Sequence, residues 1–225
     1  MKREEFMSRV SQRLGRGPEA RLEEPKRSWV PPLEPSPLAR AELVAQFSSE
    51  LERVGGAVQI CASKAELETR LIGFVLDSLA RQVVSFSKRS FALFEFERIW
   101  SELPIAAWER GSEEAALEFR ATVAAADVGL SIADLGVAAT GSMLFRAGPQ
   151  RPRSVSLLPR SHIAVLAASN LVADLARGIA WLAAQGSPPS SAVFVTGPSR
   201  TSDIENDLTL GVHGPAAVTV FILDN

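Results

Sequence analysis

Four short runs in this chain are apolar at almost every position: AVQICA at 57–62, HIAVLAA at 162–168, AVFVT at 192–196 and AVTVFIL at 217–223. A strand with one wet face alternates apolar and polar side chains, whereas a strand covered on both faces does not. Between these runs lie longer stretches of helical period. Short, doubly apolar strands alternating with helices predict a mostly parallel sheet covered on both sides, a three-layer α/β/α domain.

The local signals fill in that outline. Leu43, Phe47, Leu51 and Val54 mark one face of a helix that stops at Gly55-Gly56. Ser63 and Glu66 have the spacing of a capping box for a helix reaching Ala80. QVVSF (82–86) and IAAWE (105–109) read as strands with a helical or mixed segment between them, and 112–129 reads as a helix. Beyond Asp127 the chain becomes strand-rich through 130–145, RSVSLL (153–158) and HIAVLAA, followed by a long helix over 170–186. Ahead of all this, Phe6, Val10 and Leu14 suit a short amphipathic helix. Six prolines from Pro18 to Pro37 then make an extended arm, because each fixes its own φ and restricts its predecessor. The expected division is an N-terminal helix and arm at 1–37 and an α/β domain at 38–225.

Charge and cysteine content narrow the function. With 24 basic and 26 acidic side chains the net charge is −2, without the basic excess of a nucleic-acid binder. No run approaches the roughly 20 apolar residues of a membrane span, and the amino terminus lacks the apolar core of a secretion signal, so a cytoplasmic location is expected. A lone cysteine, Cys61, can make neither an internal disulfide nor a cysteine-based metal or cluster site, and its apolar setting reads as a buried thiol. No cofactor and no metal site are expected, since two histidines are a weak basis for one even with Asp203 or Glu205 added.

The densest polar cluster is GPSRTSDIE at 197–205, followed by GVHGP at 211–215. Ser202 and Glu205 have S-x-x-E spacing, which predicts a helix starting near Ser202, with Asp203 and Glu205 at its positive end. Capping leaves Ser199, Arg200 and Thr201 unexplained. A hydroxyl–guanidinium–hydroxyl run after an apolar strand can hold a carboxylate or phosphate, although Gly197 belongs to neither a Walker loop nor a dinucleotide fingerprint. His213, beside Gly214, can carry a proton near neutral pH or fix the loop through one hydrogen bond. His162, opening a strand, reads as a structural histidine near a strand edge. Thr140, Gly141 and Ser142 suit a tight turn with close backbone approach. Asp127 and Asp134 could serve as acid and base, and Arg146, Arg151, Arg153 and Arg160 make a basic loop or an anion surface.

Together, ADVGLSIADLGVAATGS (126–142), SVSLLPRSHIAVL (154–166) and VTGPSRTSDIENDLTLGVHGPAAVTVFILDN (195–225) resemble the lactate utilization protein C family, the LutC/YkgG group built on the LUD domain. The resemblance covers about residues 38–225. It implies a fold like that of ribose-phosphate isomerase, glucosamine-phosphate deaminase and the CoA transferases. It also implies partners, at least one carrying iron–sulfur clusters, in oxidising L-lactate to pyruvate. Relatives often place an acidic residue before the Thr-Gly pair; here Ala139 stands there, against covalent carboxylate chemistry at this position. The resulting expectation is a non-redox component of a lactate system. Its ligand site is drawn from Thr140, Gly141, Ser142, Gly197, Ser199, Arg200, Thr201, Asp203, Glu205, His213 and Gly214, with His213 the one catalytic candidate. The rivals are a free-standing isomerase or transferase acting on a phosphorylated or CoA-linked metabolite, and a scaffold without a ligand. Catalysis by the chain alone and a homo-oligomeric state stay open.

Overall fold

The computed structural model describes residues 3–15, 38–186, 188–202 and 208–225. The chain divides into two compact units, 1–30 and 31–225. In the first, α1 spans Arg3–Arg13, and none of its residues is buried.

The second unit begins with α2 (Arg40–Arg53), β1 (Ala57–Cys61), α3 (Lys64–Asp77) and β2 (Val83–Ser85). It continues through α4 (Ile99–Glu102), β3 (Ile105–Ala107), α5 (Glu113–Ala125), β4 (Val128–Ile132), β5 (Leu135–Val137) and β6 (Ser142–Arg146). Next come α6 (Ser154–Leu157), β7 (Ser161–Ala167), β8 (Leu171–Val172), α7 (Leu175–Ala183) and β9 (Ala192–Val195). The last strands are β10 (Arg200–Ser202), β11 (Leu208–Leu210) and β12 (Ala217–Leu223). Six strands form one sheet in the order β1-β12-β7-β4-β2-β3, and every pairing in it is parallel. A second sheet, β8-β5-β6-β9, is mixed, and β10 and β11 form an antiparallel ribbon.

The period-2 side-chain alternation divides the core between the two faces of the large sheet. Leu130, Ile163, Val165, Phe221 and Leu223 meet Leu67, Leu71 and Val75 of α3 on one side. Ala164, Leu166, Val218, Val220 and Ile222 meet Leu43, Val44, Phe47 and Leu51 of α2 on the other, with Met143 and Phe145 of the small sheet. The doubly covered strands foreseen at β7 and β12 are interior strands, each paired on both sides. β1 and β9 are not doubly covered: Ile60 and Val193 are exposed, because each strand is the last in its sheet.

Caps explain where the helices begin. Ser63 Oγ accepts from the Glu66 N–H at 3.2 Å, and the Glu66 carboxylate reaches back to the Ala62 N–H at 2.8 Å. The expected long helix over 170–186 is interrupted: Leu171–Val172 pair with Gly136–Val137, and α7 begins only after Asp174, whose carboxylate caps Arg177 N at 2.9 Å. RSVSLL is helical rather than extended, since α6 lies across β4, with the Val155 carbonyl over the bare Cα of Gly129. His162 is the second residue of β7, at the strand's start as expected, in a strand paired on both sides.

Candidate functional site

The segments carrying the predicted site residues converge on the carboxyl end of α2. Antiparallel pairing of β6 with β9 sets Met143 opposite Val195, which brings Ser142 beside Thr196. A chain of hydroxyls results: Thr140 Oγ1 to Ser142 Oγ at 2.7 Å, and Ser142 Oγ to Thr196 Oγ1 at 2.7 Å. Gly141, at φ +61°, lies so close to α2 that a Cβ would stand 2.4 Å from the Leu51 nitrogen. Gly197, at φ +73°, likewise approaches Val54, with 2.8 Å from an added Cβ to Val54 Cγ2. Both positions need glycine for conformation and for space.

The two motifs that open and follow the polar cluster are joined through Ser199. Its N–H donates to the Pro215 carbonyl at 2.9 Å, and its own carbonyl accepts from the Gly211 N–H at 3.0 Å. Ser202 is the last residue of β10, paired with Leu208 in the β10–β11 ribbon, and the helix expected beyond it falls outside the described residues. Thr201 pairs with Thr209 and Arg200 with Leu210 along the same antiparallel ladder, which satisfies backbone groups of both strands. Asp203 and Glu205 lie outside the described residues. His213 is exposed on the bend before Pro215, and among the described residues it has no hydrogen-bond partner. Arg200 Nη2 donates to the Val54 carbonyl, a contact that spacing alone gave no means of finding.

A second polar assembly lies at the carboxyl end of the large sheet. Asp134, just past β4, has a side chain only 4% exposed and receives two guanidinium groups. Arg146 donates from Nε and Nη2 to Oδ1 at 3.1 and 2.9 Å, and its main-chain N–H reaches Oδ2 at 2.9 Å. Arg151 Nη1 reaches the same Oδ1 at 2.6 Å. Asp134, Arg146 and Arg151 each stand out in the sequence, but their pairing depends on the turn at 148–151, where Gly148 and Arg151 bridge to each other. Asp127 is not part of this assembly. It sits at the opposite end of β4, where N–H groups of Arg81 and Gln82 lower its pKa. There it lines a cavity of about 330 Å3 with Arg160, Ser78 and Phe74.

The remaining titratable candidates are structural. His162 is buried, with Nε2 2.7 Å from Ser131 Oγ and Nδ1 without a partner. Burial pushes its pKa down to about 4, so the folded protein holds it neutral. Burial raises the pKa of the Cys61 thiol, partly opposed by Arg70. That is the opposite of what activates a cysteine nucleophile. No helix among the described residues is long and apolar enough to cross a membrane.

Comparison with known proteins adds the family. Residues 44–223 match the LUD domain model. A lactate utilization protein C from Shouchella clausii is 33% identical over 163 residues, 71% of this chain and 70% of that protein. One from Exiguobacterium is 31% identical, across 98% of this chain and 95% of its own length. Among solved structures, a DUF162 family protein from Deinococcus radiodurans shares the fold at a TM-score of 0.58 and 23% identity, over 83% of this chain and 99% of that one.

Proposed function

We propose a role for this chain from one premise: it belongs to the LUD domain family, among the lactate utilization C proteins. The chain is a non-redox component of an L-lactate utilization system in which L-lactate is oxidised to pyruvate together with iron–sulfur partner proteins. The name its relatives carry supports the pathway. Cys61 supports the division of labour. Oxidation of the alcohol releases two electrons, and a cysteine-ligated cluster to carry them needs several thiolates, whereas this chain has one cysteine and buries it. Electron transfer therefore falls to the partners.

Within that role, the loop at Gly197, Ser199, Arg200 and Thr201 holds a small carboxylate or phosphate beside the hydroxyls of Thr140 and Ser142, with Gly141 and Gly214 giving close backbone approach. Arg200 spends one nitrogen on Val54 and keeps the rest of its guanidinium for an anion. His213, exposed next to Gly214, moves a proton or closes the loop in this reading. Asp203 and Glu205 complete the proposed set.

The test is affinity purification of the tagged chain from cells grown on L-lactate and on glucose. A cysteine-rich iron–sulfur protein recovered from the lactate culture is expected. Recovery of none, or turnover of a phosphorylated or CoA-linked metabolite by the purified chain alone, overturns the reading in favour of a free-standing enzyme. Ser199→Ala and Thr201→Val then test the loop: with stability unchanged, each weakens anion binding.

A further inference from the structure

The strand order of the large sheet marks one position as special. From β2 the chain moves outward to β3 at the sheet edge, and from β4 it moves the other way to β7. Where two neighbouring parallel strands send their connections in opposite directions, a crevice opens beyond their carboxyl ends, and ligands of open α/β sheets collect there. In this protein the crevice lies beyond β2 and β4, where Asp134, Arg146 and Arg151 meet.

Three features suit that place to a ligand. First, its frame is fixed. The Gln150 carbonyl accepts from the Ser87 N–H at 3.1 Å, and the Pro149 carbonyl from Trp108 Nε1 at 2.8 Å, tying the 148–151 turn to the ends of β2 and β3. Arg146 lies 4.9 Å over the Trp181 ring and donates to Gln185 at 3.3 Å. Second, the charge does not balance. One carboxylate serves two guanidinium groups, leaving an excess of one positive charge on side chains that reach solvent, 28% and 27% exposed. Third, there is room. A cleft of about 180 Å3 is lined by Arg146, Ala147, Gly148, Arg151 and Pro189. Of the Arg151 nitrogens in the guanidinium, only Nη1 has a partner among the described residues.

We propose that Arg146 and Arg151 bind a small aliphatic monocarboxylate in this cleft, with Asp134 as the positioning residue that holds both guanidinium groups in place. A guanidinium fork matches a planar carboxylate in two parallel hydrogen bonds. One negative charge brings the group of three to neutrality, whereas a phosphate dianion overshoots it. Phe86, Phe145, Val193 and Val195, with Arg153 and Ser156, line a space of about 20 Å3 on the other side of Arg151, room for no more than a methyl end. The site is separate from the Ser199–Thr201 loop, and only the choice of probe rests on the lactate reading.

Pyruvate and inorganic phosphate are titrated into the full chain at low salt, by calorimetry and by amide NMR. Saturable pyruvate binding is expected, with shifts centred on Gly148 and Arg151, and with phosphate at least fivefold weaker. Arg151→Gln should weaken pyruvate binding at Gly148 and Arg151 tenfold or more, and Arg151→Lys less. Wild-type shifts centred on Ser199 and Thr201 instead overturn this site while supporting the loop. Absence of saturable binding, or phosphate binding as tight as pyruvate, overturns the monocarboxylate assignment even if the variants fail to fold.

Discussion

Arg200 donates from Nη2 to the main-chain carbonyl of Val54, closing a contact between residues 146 apart in the sequence. Val54 follows the last residue of α2, where free carbonyls carry the negative end of the helix dipole. A cation there compensates the dipole and satisfies one orphan acceptor. The Arg200 side chain also leans over Gly55, where an added Cβ would stand 2.6 Å from Nη2. The arginine singled out as an anion ligand is thus also a clasp between the β10–β11 ribbon and the main body of the domain.

Arg200→Ala should lower the melting temperature by about 2–4 °C, the shift expected when about 1 kcal/mol is lost from a chain of this size. Arg200→Lys keeps the charge and loses the fork, so it should fall between. Thermal unfolding followed by circular dichroism checks both. A variant with no loss of stability would leave the arginine free of the clasp.

His162 gives the protein a defined acid sensitivity. Its pKa is lowered from the ordinary 6.5 to about 4, so the folded state refuses a proton that the unfolded chain accepts. Above pH 6.5 both states hold it neutral, and its burial carries no proton penalty. As pH falls from 6.5 to 4, stability drops by at most about 3 kcal/mol on this account. His162→Gln keeps a group able to bond Ser131 and removes the titration. Urea midpoints measured across that range should fall less steeply for the variant than for the wild type.

The sequence pattern showed the large sheet more clearly than the site. β7 and β12 were legible because burial on both faces writes itself as uninterrupted apolar runs. The α3 cap was legible because Ser63 and Glu66 act locally. RSVSLL misled because six residues carry too little period to separate a strand from one helical turn, and what decides is contact with Gly129 of β4. The ribbon at Ser202 was not legible, because the pairing of Arg200–Ser202 with Leu208–Leu210 joins segments that no local spacing relates. Asp134 and its two arginines were visible as residues but not as a group. Their shared oxygen depends on a turn and a strand pairing that no local spacing encodes.

Glu68 illustrates how a buried carboxyl group can be purely architectural. Its Oε1 accepts from the N–H groups of Glu97, Arg98 and Ile99 at 2.7, 2.6 and 3.1 Å, fixing the chain as it enters α4. Glu68→Ala removes the acceptor from three donors at once and should cost about 2–4 kcal/mol in denaturant unfolding. Glu68→Gln keeps a carbonyl oxygen in the same place and should recover at least half of that loss. Equal losses from the two variants would show that packing, not acceptance, is what Glu68 supplies.

Gly141 offers the most demanding test of the close approach that builds the proposed loop site. At φ +61° an alanine is already strained, and its Cβ would stand 2.4 Å from the Leu51 nitrogen and 2.8 Å from the Glu50 carbonyl carbon. Those atoms are helix backbone and cannot rotate aside, so α2 must shift bodily from β6. Gly141→Ala should therefore cost about 3 kcal/mol or more, beyond the roughly 1 kcal/mol of a left-handed residue alone. The movement should also carry Thr140 and Ser142 away from Thr196, breaking the hydroxyl chain. Urea unfolding gives the stability loss, and amide exchange at Ser142 and Thr196 reports the displacement. A loss near 1 kcal/mol with unchanged exchange would mean that α2 and β6 are not held as tightly as these distances imply.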